Sequence, residues 1–161
     1  MTELSLTTAL SANSIKNNPR ILVVTSCTGE KRFKPSNQLT LEDFKEPARL
    51  ESCIKIIAEF ACPAGKMYTG LQHLRAMEGV SLLRQSFGKQ AVDVAILSAG
   101  YGLICEDKII LPYEVTFNTM KGYEVDEWAK FLQVHESFEK TIAGYDPVSY
   151  THLTLPTKRI V

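Results

Sequence analysis

Two short apolar runs most constrain what this chain can fold into: Ile21-Leu-Val-Val-Thr25 and Val92-Asp-Val-Ala-Ile-Leu97. Each has the length of a strand, is rich in β-branched residues and leads into a glycine-bearing loop, as expected of strands buried on both faces of a sheet. Helical spacing fills the interval between them. Thr40 can cap a short helix with Asp43 near its positive end. Residues 50–60 put Ile54, Ile57 and Ala58 on one stripe ahead of Pro63 and Gly65. Residues 71–87 offer Leu71, Leu74, Met77, Leu82 and Leu83 as an apolar side, and Gly88 stops them. Ile109 to Leu111 reads as a short third strand closed by Pro112. Residues 125–143 then place Trp128, Phe131, Leu132, His135, Phe138 and Ile142 at three- and four-residue steps. This order predicts an α/β fold, a mostly parallel sheet with flanking helices.

The 161 residues suffice for one domain with one sizeable core. A composition 45% hydrophobic and 22% charged is that of an ordinary globular protein. Eighteen basic and eighteen acidic residues cancel, which argues against a protein that holds nucleic acid by bulk charge, though not against a small basic pocket. No stretch approaches the length of a membrane span, and residues 1–19 are polar, without the apolar centre of a signal peptide. The expectation is a cytoplasmic protein with a loose leader over residues 1–19 and free thiols at Cys27, Cys53, Cys62 and Cys105.

The last residues read differently. Val148-Ser-Tyr-Thr-His-Leu-Thr-Leu-Pro-Thr157 matches one reading frame of a transposon-end sequencing adapter at all ten codons. Residues 148–161 are therefore expected to be an artefactual tail, leaving residues 20–147 as one incomplete α/β domain cut near Asp146. Without Lys158 and Arg159 the balance is 16 basic to 18 acidic residues, a formal charge of −2. A further strand is expected after Gly144-Tyr-Asp146, and His152 carries no information.

In open parallel sheets ligands bind beyond the carboxyl ends of the strands, where two loops lie here. Ser26-Cys-Thr-Gly-Glu-Lys31 supplies hydroxyls at Ser26 and Thr28, a glycine that admits close backbone approach, and Lys31 to hold an anion or a base edge. It lacks Walker A spacing, and it reads equally as a solvated turn. Ser98-Ala-Gly-Tyr-Gly102 can present Tyr101 from a tight turn, or simply pack it on the sheet end. Cys27 beside Lys31 is a candidate nucleophile, or a buried thiol. His73 and His135 read as packing or surface residues, and Trp128 as core. The spaced His, Cys and acidic residues are too few to suggest a metal, and no cofactor is implied.

These same elements resemble a known pattern. Ser26-Cys27 with Lys31, Met67-Tyr-Thr-Gly70, Ile96-Leu-Ser-Ala-Gly-Tyr-Gly-Leu103 and Ile110-Leu-Pro-Tyr-Glu114 with Met120 resemble a bacterial and phage family of unknown function. That family is similar to the peroxide-stress protein YaaA, sharing the YTG, LSxxYGL and PY elements in order. The resemblance spans about residues 21–120. It implies a uracil-DNA-glycosylase-like fold and a role connected with nucleic acid or its bases, together with links to DNA binding and protection against oxidative damage.

Three functions follow as expectations. The first is an enzyme, transferase or hydrolase, acting on a nucleobase, nucleoside or nucleic acid. Lys31, Cys27 and Glu114 would be catalytic, with Glu114 the general base after the Pro112-Tyr113 turn. Ser26, Thr28, Tyr68, Gly70, Ser98, Gly100, Tyr101, Gly102 and Tyr113 would bind the ligand, Tyr68 and Tyr101 by stacking. The second is a non-enzymatic DNA-binding or stress-protective protein, for which Lys31, Arg32 and Lys34 are the clustered cations. A phage or defence protein that only binds a partner is a third.

Overall fold

The computed structural model describes residues 20–145. The leader and the tail, with the adapter reading and the expected further strand, lie outside the described residues. The chain is mixed α/β. Strand β1 (Ile21–Ser26) is followed by β2 (Leu39–Thr40), α1 (Leu41–Lys45), α2 (Pro47–Ile56), β3 (Cys62–Pro63), α3 (Ala64–Met67) and α4 (Leu71–Phe87). The second half adds β4 (Val92–Ser98), β5 (Gly102–Cys105), β6 (Ile109–Ile110), β7 (Tyr113–Glu114), α5 (Gly122–Phe131) and α6 (Val134–Ile142).

The apolar runs pair as expected: β1 lies parallel to β4, Ile21 opposite Val92 through Ser26 opposite Leu97. The described sheet is mixed, however, rather than mostly parallel. Its third strand, β5, returns antiparallel to β4, Ser98 facing Gly102. Gly102 has φ +73, in the left-handed region that lets a three-residue loop close a hairpin instead of leading into a crossover helix. A side chain there would also strike the Leu132 carbonyl, whose oxygen lies 2.9 Å from where a Cβ would sit. Nor does the 109–111 segment join this sheet. Its two-residue β6 pairs with β3, and β7 pairs in parallel with β2.

Burial corrects two more expectations. Of the two apolar runs, only β4 is buried on both faces. Strand β1 is the edge of the described sheet, half-buried along its length with Val24 exposed. In the 50–60 stretch, helix α2 starts earlier, with Pro47 in its first turn, and gives way at Ile57 to a 3-10 turn, Ala58–Phe60. Ile57 is buried while Ile54 and Ala58 face out.

Helix α4 has the expected bounds and a different inner face. Leu71, Leu74 and Leu82 are exposed, and His73 and Val80 are buried, with Met77 and Leu83 half-buried beside them. Arg84 ties this face to the sheet, donating through Nη2 to the Val92 carbonyl (3.0 Å) and pairing with Glu106. The 125–143 helix is two helices. Gln133, at φ 51, breaks it after Phe131, so Trp128 is buried whereas Phe131, Phe138 and Ile142 stay exposed. The core joins Val92, Val94 and Ile96 of β4 to Leu39, Ile57, Met67, Tyr68, Ile110 and Tyr113. All four cysteines are free. Among the described residues no helix is long and apolar enough to cross a membrane.

Candidate functional site

The site forms where the carboxyl ends of β1 and β4 meet the 67–70 segment and β7. The first loop is held by backbone bonds: Cys27 N–H donates to the Leu97 carbonyl (2.8 Å) and Arg32 N–H to the Met67 carbonyl (2.7 Å). Thr28 Oγ1 accepts from Gly70 N–H (3.1 Å). A Cβ on Gly70 would come within 2.6 Å of the Thr28 Cβ, so this close approach requires glycine. Lys31 bridges the Tyr68 backbone in antiparallel fashion.

This tethering turns Lys31 inward. The residue is only 7% exposed, and its Nζ lies 4.3 Å from the centroid of the Tyr113 ring. Burial pushes its ammonium below the ordinary lysine value, and the nearby Glu114 carboxylate and Cys27 oppose that shift. Among the described residues this ammonium meets a ring face and no hydrogen-bond acceptor. The expected basic cluster is thereby divided, since Arg32 and Lys34 remain on the surface.

Behind Lys31 sits a closed ring of hydroxyls. Tyr68 Oη donates to Ser98 Oγ (3.0 Å), and the Ser98–Tyr113 and Tyr113–Tyr68 separations are 2.8 and 2.9 Å. With the Tyr68 proton committed to Ser98, Ser98 must donate to Tyr113 and Tyr113 to Tyr68. Each hydroxyl then gives one bond and accepts one. Ser98 Oγ also accepts the N–H groups of Gly100 (3.3 Å) and Tyr101 (3.1 Å), which shapes the turn. Burial raises the phenols of both Tyr68 and Tyr113, holding them neutral.

The remaining residues take distinct places. Tyr68 is 1% exposed, so its ring packs and has no open face for a ligand. Tyr101 is half-buried, and its hydroxyl donates to the Leu111 carbonyl (3.2 Å) and accepts Leu111 N–H (3.1 Å); burial pushes it up to about 12. Gly100 lies beneath the Tyr113 ring, where a Cβ would come within 2.8 Å of the ring. Gly102 serves the hairpin. Ser26 ends β1 opposite Leu97, and the half-buried Cys27 accepts Ala99 N–H at Sγ (3.4 Å). Glu114 is the exposed member, its Oε2 accepting from Gln38 Nε2 (3.3 Å).

Two contributors carried no signal in the sequence. Gln38 lies in an irregular loop, yet it orients Glu114 while its own Oε1 is buried without a partner. His73 is fully buried against Tyr68, with ring centroids 5.5 Å apart; Nε2 bonds the Gly65 carbonyl (3.1 Å) and Nδ1 is unpartnered. Its helical position suggested packing, and its link to the hydroxyl ring runs through Tyr68, five residues earlier in the chain. Among the described residues no group of three or more His, Cys, Asp or Glu is placed to hold a metal ion.

Beyond Glu114 a groove of about 700 Å³ runs between β7 and α5, lined among others by Leu41, Val115, Met120, Tyr123, Trp128 and Phe131. Trp128 Nε1 donates to the Ala99 carbonyl (2.7 Å), which fixes α5 to the Ser98 turn and so sets the groove beside the site.

The fold and the site thus describe a mixed α/β protein with a buried lysine and hydroxyl cluster at its strand ends. Residues 49–151, more than half of the chain, match a family of unknown function, DUF6884, and the chain belongs to that family. The matched stretch takes in Tyr68, Gly70, Ser98 to Gly102, Tyr113 and Glu114, and begins after the Ser26 to Lys31 loop. Comparison with curated proteins and with solved structures finds no match.

Proposed function

We propose that this protein is a small enzyme of the YaaA-like kind acting on a nucleobase, nucleoside or nucleic acid, with Lys31 and Glu114 facing the ligand. The observation that carries this reading is Lys31 itself. An ammonium drawn largely out of water and set on a ring face, with no acceptor of its own among the described residues, has hydrogen bonds to offer a ligand carbonyl or oxyanion. Such a cation, preorganised in a poorly solvated place, can hold negative charge as it develops in a reaction. Glu114, exposed and steadied by Gln38, is available to take a proton on the open side. The nucleobase assignment draws on the resemblance of the YTG, SAGYG and PYE elements, which also underlies the proposed kinship with uracil-DNA-glycosylase-like domains.

The test is a thermal-shift series with free bases and nucleosides on the wild type, Lys31→Met and Glu114→Gln. At least one ligand should raise the wild-type Tm, and both variants should lose that response while remaining folded. Removing a desolvated charge should leave the unliganded Lys31→Met protein no less stable than the wild type. An unchanged ligand response in both variants would overturn this site.

A further inference from the structure

The groove beside Glu114 combines an aromatic wall with one sign of charge. Tyr123 and Phe131 on α5 are more than half exposed, and the Phe131 ring stacks on Trp128 at 4.8 Å between centroids and 11° between planes. Exposed aromatics lining a concavity of this size are the usual provision for a flat ligand. Its charged lining comprises the carboxylates of Glu114, Glu124 and Glu127 and the ammonium of Lys45. That ammonium is already paired with Glu42, at 3.1 Å. Glu124 is occupied as well, accepting Lys121 N–H at the start of α5 (2.7 Å), but it keeps its negative charge. The field in the groove is therefore negative. Lys31 does not line the groove: its ammonium lies over the Tyr113 ring, where it acts on Glu114 from outside.

We infer that the groove admits a flat aromatic ligand bearing amino groups and rejects one bearing phosphate. This deepens the proposed function and rests on it: the ligand would be a free base or nucleoside, not a nucleotide or a nucleic-acid strand. Exocyclic amines can donate to the carboxylates of Glu114 and Glu127. A phosphate would bring two negative charges against three carboxylates, and that repulsion selects as strongly as any attraction.

The experiment is calorimetric titration of the wild type, Tyr123→Ala and Glu127→Lys with cytidine, guanosine and their 5′-monophosphates at two salt concentrations. A nucleoside should bind roughly tenfold or more tightly than its monophosphate, and the gap should narrow as salt screens the groove. Tyr123→Ala should weaken the nucleoside, and Glu127→Lys should restore much of the monophosphate binding. Monophosphates binding the wild type as well as nucleosides do would overturn the inference and leave the proposed function standing. If neither class binds, the inference falls, and the proposed function is decided by the thermal-shift series with free bases.

Discussion

Ser98 shows how much one hydroxyl can organise. Its oxygen takes the Tyr68 proton and two N–H groups of its own turn, and its proton goes to Tyr113. Ser98→Ala would strand two backbone donors and a phenol in a buried place, so it should destabilise by about 1–3 kcal/mol in a urea titration. Tyr113→Phe should cost less, because it deletes one member and lets the other two hydroxyls keep their mutual bond. Combining the two should cost less than the sum of the single changes, since both act on one network. A strictly additive result would show that the ring does not work as a unit. Ser98 was legible as a site candidate because it ends a strand, and Tyr68 and Tyr113 because they belong to the YTG and PYE elements of the resemblance. Their burial was not, since Tyr68 and Tyr113 read in isolation could equally stack on a ligand.

At the scale of elements, punctuation was easier to read than facing. Gly70 and Gly88 bracket α4, and its bounds follow from them. Its inner face does not follow, because leucines occur all round the helix; His73, Met77 and Val80 turn inward where α3 and the sheet happen to lie. Likewise the stripe from Trp128 to Ile142 runs on as a pattern through Gln133, although the backbone there is left-handed. Nothing in a glutamine announces that conformation, which only the meeting of Leu132 with Gly102 makes intelligible. An ordinary residue in this region carries roughly 1 kcal/mol of strain that glycine escapes. Gln133→Gly should therefore raise the Tm by a few degrees, whereas the same substitution at the neighbouring, helical Lys130 should lower it. A fall in Tm for both would show that the break is not strained.

The whole molecule is organised about one strand, β4, with unequal partners. The apolar runs announced that β1 and β4 belong together, and they could not announce the hairpin, which depends on how Gly102 is turned. These two pairings also differ in when they can form. Strand β5 needs only a three-residue turn to find β4, whereas β1 must find it across about 70 residues of chain. Loop closure therefore favours the hairpin forming first and β1 docking later. What docks last on an edge is also what detaches first. In native-state hydrogen exchange, amides of β1 should open at lower free energy than those of β4. Because the Ser26 to Lys31 loop runs on from the end of β1, each such opening loosens one of the two anchors of Lys31, the other being its backbone bridge to Tyr68. The rhythm of ligand capture would then follow the fraying of the strand at the edge of the described sheet, and a bound ligand should slow exchange in β1 more than anywhere else.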